Sequence, residues 1–187
     1  MFIQTESTPN PATLKFIPGC AVMGEGAVAD FPDVTAAARS PLAAALFALP
    51  EVSRVFFGAD FISVTKAAGE WQHLKPPVLG VIMDHFTQGL PLIEGAAAEA
   101  DDEHTYNDEE AQIVEQIKEL IETRVRPAVA NDGGDIIFKA YDGATGVVSL
   151  HMRGSCAGCP SSTMTLKNGI ENLLRHYVPE VSAVEAV

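Results

Sequence analysis

An acidic stretch in the middle of the chain most constrains how it can fold. Six acidic residues and no Lys or Arg lie between Glu94 and Asp108, among several alanines. Like charges in such a segment repel one another and favour an extended, solvated linker. The chain has 187 residues, of which 47% are hydrophobic, enough for real cores on both sides. We therefore predict an acidic flexible linker at residues 94–107, between small domains at residues 1–93 and 108–187.

The first predicted domain alternates strand and helix signals. A turn-forming run at residues 7–11, Ser-Thr-Pro-Asn-Pro, separates two β-rich segments, and Ser40-Pro41 is typical of a helix start. Adjacent prolines at positions 76 and 77 must kink or restart a later helix. The order is thus β-β-α-β-β-α, with strands at 2–5 and 13–17, a helix at 41–49, a hairpin at 52–57 and 61–66, and a helix at 70–86.

The second predicted domain has the order α-β-β-α-β. Asn107 and Glu110 form a capping-box pattern at the start of its first helix, and Pro127 makes continuation past Arg126 unfavourable. The Asn-Asp-Gly-Gly-Asp run at residues 131–135 indicates a tight turn. Strands follow at 135–141 and 146–152, then a helix that ends before Pro179 and a strand at 181–187. Together the two domains predict an α/β (α+β) fold.

A Cys-x-x-Cys pair lies between the last hairpin and the last helix, in residues 154–160, Gly-Ser-Cys-Ala-Gly-Cys-Pro. Pro160 suits the first helical position, which places Cys159 at the N-cap and Cys156 just upstream. The positive end of the helix dipole favours the thiolate form of both sulfurs. Gly154 and Gly158 let the backbone pass close to a bulky inorganic group. The loop is therefore a candidate metal or cluster site with Cys156 and Cys159 as ligands.

The number of thiols indicates a site shared between two chains. A tetrahedral zinc or a tetra-cysteinyl cluster needs four ligands, whereas the chain supplies this pair and Cys20, which has no neighbouring Cys or His. Two loops that meet across a two-fold axis supply four thiolates, the number that a [4Fe-4S] or a [2Fe-2S] cluster takes. Cys20 is interpreted as a small structural residue.

Two other uses of the pair remain open. The interpretation as a zinc site is weakened because the five histidines form no second knuckle with another Cys-x-x-Cys. A thioredoxin-like dithiol oxidoreductase also places Cys-x-x-Cys-Pro between a strand and a helix, but its motif lies in a βαβ frame, and here the preceding strand closes a hairpin. His151 and Arg153, beside the loop, are interpreted as solvated strand residues rather than groups that tune a cluster.

Charge and the N-terminus shape the expected partners and location. The 25 acidic and 12 basic residues give a formal net charge of -13, which repels nucleic acid and anionic membranes. No segment approaches the ~18 apolar residues of a membrane-spanning helix. Residues 1–6 show no targeting leader, which favours a bacterial-type cytoplasmic location. In that compartment a close thiol pair is metal-binding or catalytic more often than a structural disulfide.

Segments in both predicted domains carry a family resemblance. Residues 126–135 and 154–162 closely resemble the C-terminal domain of NifU, which the Nfu-type iron-sulfur carrier proteins share. Residues 2–6, 8–11 and 14–19 are similar to the N-terminal domain of Nfu proteins from proteobacteria and mitochondria. Together the two resemblances cover nearly the whole chain outside the acidic linker.

The resemblance implies a non-enzymatic scaffold or carrier. Such a protein binds a [4Fe-4S] cluster between two protomers, here through Cys156 and Cys159, and transfers it to apo iron-sulfur proteins such as aconitase-like or lipoyl-synthase-like enzymes. It also implies an upstream assembly scaffold as the source of the cluster and a homodimer in the cluster-bound state. The N-terminal domain has no identifiable ligand, and docking of client proteins is a hypothesis for it.

Overall fold

Two β-sheets, each with its own hydrophobic core, organise the described part of the chain. The computed structural model describes residues 1–94, 104–157 and 160–187, without the side chains of residues 160–162. Most of the predicted linker, at 95–103, and both Gly158 and Cys159 therefore lie outside the described residues. The first half contains β1 (Gln4–Ser7), β2 (Thr13–Ile17), β3 (Ala29–Phe31), α1 (Val34–Ala37), α2 (Pro41–Phe47), β4 (Val52–Phe57), β5 (Ile62–Lys66) and α3 (Trp71–Gln88).

The first sheet is antiparallel, with the strand order β1-β2-β5-β4-β3. One of its faces packs against α2 and α3, because apolar side chains alternate along the central strands and recur at helical spacing on the helices. Phe16, Phe57 and Ile62 from the sheet and Leu42 and Ile82 from the helices are fully buried in this core.

The predicted order of the first domain omitted one strand and one helix. The observed order is β-β-β-α-α-β-β-α, since β3 and α1 lie in the stretch before Ser40 that carried no clear signal. Both elements are short, three and four residues, and α1 is capped by the Asp33 side chain, which accepts a hydrogen bond from Ala36 N. Elements this short are specified by a cap and by sheet pairing more than by hydrophobic periodicity.

Helix α3 does not restart at its prolines. It runs as one helix from Trp71 to Gln88 through Pro76 and Pro77, so of the predicted kink or restart, the restart does not occur. Both prolines are exposed, where water can satisfy the carbonyl groups that lose an intrahelical donor. Gly89 ends the helix in the left-handed conformation, with φ of 64°.

The second half follows the predicted α-β-β-α-β order. Strand β7 (Val147–Gly154) pairs antiparallel with β6 (Gly134–Asp142) and parallel with β8 (Ala183–Ala186), and α6 (Pro160–Tyr177) connects β7 to β8. The strand before the cysteine loop thus closes a hairpin and also opens a βαβ unit, so its hairpin does not separate this layout from a thioredoxin-like one. The elements are α4 (Asp108–Leu120), a π-helical segment (Ile121–Val125), α5 (Arg126–Asn131), β6 (Gly134–Asp142), β7 (Val147–Gly154), α6 (Pro160–Tyr177) and β8 (Ala183–Ala186).

The first helix of this half continues past Pro127, contrary to the prediction. A π-helical segment precedes the proline, and the Arg126 N–H donates to Ile121 O, five residues back. This wider turn lets the chain pass a residue that has no N–H and remain helical to Asn131. The predicted capping box is present at the other end, between Asn107 and Glu110.

The second face of the first sheet is also buried. Strand register places Lys15, Ser63 and Phe56 in one row across β2, β5 and β4, on the face away from the core. Phe56 and Ser63 are each 1% exposed, and Lys15 is 8% exposed. β4 and β5 contact β7, so this row is covered by the strand that leads into the cysteine loop.

Among the described residues, no helix combines the length and apolar character that crossing a membrane requires.

Candidate functional site

Cys156 lies in the turn between β7, which ends at Gly154, and α6, which begins at Pro160 as predicted. Its side chain is 6% exposed and packs in the core of the second half. Cys159 precedes the first residue of α6 but lies outside the described residues, as does Gly158. The structure thus locates one of the two predicted ligands, and that thiol is buried.

The glycine turn after α5 lies against the cysteine loop. Ser155 Oγ donates to Asp132 O at 2.5 Å, and Ser155 N donates to Gly133 O at 3.2 Å. A Cβ on Gly134 would lie 2.6 Å from Cys156 Sγ, so a side chain there would displace the thiol. The tight turn predicted at residues 131–135 is present, and it supports the loop, a role that sequence reasoning missed.

The other side of the loop is held by its own backbone and by the start of α6. Ala157 N donates to Gly154 O at 3.2 Å, and Thr163 Oγ1 donates to Cys156 O at 3.0 Å. Gly154 has φ of 64°, and a Cβ there would lie 2.8 Å from Gly133 O. The turn therefore needs glycine at position 154 for its conformation and for close backbone approach.

Burial raises the pKa of the Cys156 thiol to about 11. A hydrogen bond with Ser155 lowers the pKa and the charges of Asp132 and Asp135 raise it, but desolvation is the largest cause. The predicted stabilisation of a thiolate by the helix dipole is therefore wrong for Cys156 in this arrangement. Burial therefore favours the protonated thiol in this arrangement, and binding of a metal by Cys156 requires the loss of that proton.

An ion pair braces the same end of the domain. Arg126 Nε donates to Asp135 Oδ1 at 2.8 Å and its Nη2 donates to Asp135 Oδ2 at 3.1 Å, while Nη1 donates to Glu122 Oε1 at 2.7 Å. Asp135 is 3% exposed, and its hydrogen bonds are the main cause of a raised Arg126 pKa. The sequence offered a weak signal for this pair, an Asp at the start of a predicted strand.

The other residues singled out by the sequence have structural surroundings. Arg153 is buried, so its interpretation as a solvated residue is wrong, whereas His151 is half-buried with Nδ1 2.9 Å from Val187 O. Cys20 is exposed. Within residues 1–94, 104–157 and 160–187, no group of three or more His, Cys, Asp or Glu side chains is placed to hold a metal ion.

Comparison with known proteins identifies both halves of the chain. Residues 3–89 match the family model described as scaffold protein Nfu/NifU N terminal, and residues 117–185 match the NifU-like domain. The chain is 54% identical over 188 aligned positions to the "NFU1 iron-sulfur cluster scaffold homolog, mitochondrial" of Drosophila willistoni, covering all of this chain and 64% of the relative. The protein of the same name from Drosophila sechellia is also 54% identical, with 65% of its length covered.

A NifU-like protein from Saccharomyces cerevisiae, solved in solution, aligns with 51% of this chain and 87% of its own at 25% identity and a TM-score of 0.46.

The names of these relatives contradict the predicted cytoplasmic location, because they are mitochondrial proteins. That prediction rested on residues 1–6, and a chain that spans about two thirds of its relatives' length (64% and 65%) does not support it. The family assignment rests on the two domain matches and on similarity along the whole chain. The chain belongs to the Nfu family, with an Nfu/NifU N-terminal domain followed by a NifU-like domain.

Proposed function

We propose that this chain is an iron-sulfur cluster scaffold or carrier, without enzymatic activity of its own, that holds a [4Fe-4S] cluster between two protomers and delivers it to apo-proteins. The observation that carries the proposal is similarity over the entire chain, at 54% identity, to proteins named iron-sulfur cluster scaffolds. The cluster is cargo in this function.

The donor set of the loop suits such cargo. Thiolates are the usual ligands of iron-sulfur clusters, and one chain contributes Cys156 and Cys159. Because four thiolates complete the coordination, we propose that two protomers each supply one pair. A [2Fe-2S] cluster fits the same four ligands.

The glycine turn and the start of α6 hold the backbone around Cys156 in place. The backbone on both sides of Cys156 is fixed by Gly133, Gly134 and Thr163. Exposure of the thiol therefore requires movement of one short segment rather than of a whole domain. Clusters held on such a segment between two protomers are open to attack by the thiols of a recipient. This favours delivery to client proteins over permanent storage.

The dithiol oxidoreductase remains the alternative, and the state of Cys156 counts against it. An oxidoreductase of that type needs a thiolate that attacks disulfides near neutral pH, whereas burial holds the pKa of Cys156 at about 11. The scaffold names of the relatives also describe no redox catalyst. The carrier is therefore the function that we test.

The first prediction concerns the ligands. Anaerobic reconstitution with iron and sulfide, followed by Mössbauer spectroscopy and native mass spectrometry, should give a dimer with one four-iron cluster. Cys156→Ser and Cys159→Ser should each abolish uptake, because either change removes half of the thiolates from the shared site.

Cys20→Ser is the matched control, because its thiol is exposed and we assign it no role at the site. It should bind iron like the unmodified chain. Full uptake by either loop variant would refute the ligand assignment. A monomer that takes up no iron and yet reduces disulfides would replace the carrier with the oxidoreductase.

A further inference from the structure

The N-terminal domain lies against the cysteine loop, through hydrogen bonds of one kind. Asn10 Nδ2 donates to Ser155 O at 3.3 Å, and Ser63 Oγ donates to Gly133 O at 2.7 Å. Lys15 Nζ lies 3.5 Å from Asn131 O in the same glycine turn. In each contact a side chain of the N-terminal domain donates to a backbone carbonyl beside the cysteine loop.

The contacts of Asn10 and Ser63 converge on Ser155, the residue that precedes Cys156. The Ser155 carbonyl accepts from Asn10, while the Ser155 N–H donates to Gly133 O, the same oxygen that Ser63 binds. Ser155 is 2% exposed. The N-terminal domain therefore fixes both peptide groups of Ser155. Asn10 binds its carbonyl directly, and Ser63 acts on its N–H through the shared Gly133 oxygen.

The donors are held firmly in their own domain. Asn10 is 6% exposed, and its Oδ1 accepts from Ala12 N at 3.0 Å, which orients the amide toward Ser155. Ser63 and Lys15 belong to the buried row on the second face of the sheet. Burial of such polar groups is costly unless they have partners, and the carbonyl groups of the NifU-like domain supply them.

The same contact borders a cleft beside the thiol. A cleft of about 380 Å³ next to Cys156 has Pro9 and Asn10 on one wall and Thr165 and Leu166 on the other. A partner protomer must bring its own cysteines to within a cluster's width of Cys156. Pro9 and Asn10 border the cleft next to the Cys156 thiol.

We propose that the N-terminal domain docks on the cysteine loop of its own chain and holds Cys156 in its buried position, so that undocking precedes the binding of a cluster between two protomers. This inference rests on the proposed function for its consequence. The docking contact itself is a property of the chain without a cluster, and can be measured there.

The test is the accessibility of Cys156 in the full-length chain without cluster. The Cys20→Ser/Cys159→Ser background leaves Cys156 as the single thiol, and its alkylation by iodoacetamide is followed by mass spectrometry. Asn10→Leu is uncharged and similar in size and removes the donor to Ser155, and Ser63→Ala removes the donor to Gly133. Each change should accelerate alkylation by about fivefold, the ratio that corresponds to the loss of one ordinary hydrogen bond.

Ser53→Ala is the matched control, since Ser53 Oγ donates to Thr65 O within the N-terminal domain. It removes a comparable hydrogen bond away from the contact and should leave the alkylation rate unchanged. Amide hydrogen exchange separates undocking from unfolding: in the two contact variants, faster exchange should be confined to the residues around Gly133 and Ser155.

Unchanged alkylation in both contact variants would overturn the proposal. So would faster exchange throughout β2 and β5, because it would attribute the reactivity to unfolding of the N-terminal domain. Failure of cluster uptake by the unmodified chain would refute the proposed function and leave these results intact.

Discussion

Gly134 shows how a single hydrogen atom in place of a side chain sets the position of the candidate ligand. A Cβ there would lie 2.6 Å from Cys156 Sγ and 2.8 Å from Arg153 O, and the second of these atoms belongs to the backbone. We expect Gly134→Ala to lower the free energy of unfolding of the NifU-like domain by about 1–3 kcal/mol, through overpacking. Urea denaturation followed by circular dichroism measures the change.

Gly169→Ala provides a control of opposite sign. Gly169 is exposed on α6, and an added Cβ meets no atom of the described residues within 4 Å. Alanine is the better helix former, so this variant should gain about 0.5–1 kcal/mol. A Gly134→Ala chain as stable as the unmodified one would show that Cys156 is not packed as described.

At the scale of residues, the sequence predicted which residues carry the chemistry better than it predicted what surrounds those residues. The Cys pair, the glycines and the tight turn could be found because each depends on local geometry. The burial of Cys156, Asp135 and Arg153 could not, because it depends on which distant segments cover them. The prediction of a thiolate differs from the structure at Cys156 for that reason, because burial raises the pKa of its thiol.

Among the elements, helix α3 carries a pH-dependent feature on its buried face. His85 is 5% exposed, and its Nε2 has no hydrogen-bond partner among the described residues. Desolvation lowers the pKa of His85 from its ordinary value of 6.5, against a smaller opposing effect of a hydrogen bond with the Leu90 backbone. The folded state therefore disfavours the protonated ring.

The sign of the pH effect follows from this shift. Below pH 6.5 the unfolded state binds a proton that the folded state resists, so the free energy of unfolding should fall as pH decreases from 6.5 toward the lowered pKa. His85→Leu should remove this part of the slope, whereas His73→Leu, at an exposed position on the same helix, should retain it. Urea midpoints across this pH range test both. Equal slopes for His85→Leu and the unmodified chain would contradict the prediction.

Element type was predictable where hydrophobic periodicity was clear, as in β4, β5, α4 and α6, and where a Ser-Pro helix start was present, as in α2. Short elements were missed because β3 and α1 have too few residues to show a period. The prolines predicted a helix end after Arg126 and a kink or restart at Pro76 and Pro77, whereas both helices continue past their prolines. Pro76 and Pro77 face solvent, and a π-helical segment accommodates Pro127, and neither circumstance can be recognised from the local sequence.

For the whole molecule, the two cores predict two folding units. The core around Phe16 and Leu42 and the core around Ile117 and Leu150 are made of different residues. We propose that residues 1–94 and 104–187, expressed separately, each fold, and that the contacts between them add about 1–3 kcal/mol in the full chain. Circular dichroism and urea denaturation of the fragments and of the full chain measure this. Failure of either fragment to fold would show that the halves depend on each other.

The arrangement of the two domains could not be predicted from the sequence. Lys15 and Ser63 alternate with apolar residues along β2 and β5, which is the pattern of a solvated face, yet both are buried. A buried polar row of this kind can be distinguished from a solvated one only when the surface that covers it is known. The cysteine loop was found from sequence, but the domain that covers it was not.

In the described hydrogen bonds between the domains, the side chains come from one domain only. Asn10, Ser63 and Lys15 contribute side chains, whereas Asn131, Gly133 and Ser155 contribute carbonyl groups, which every amino acid possesses. Substitutions on the NifU-like side leave these acceptors in place, except at two glycines: a Cβ on Gly133 would lie 2.8 Å from Ser63 Oγ, and one on Gly154 would lie 3.0 Å from Phe56 Cγ. The N-terminal domain thus contacts the backbone path at residues 131, 133 and 155, and a ligand that moved this backbone would move the acceptors with it.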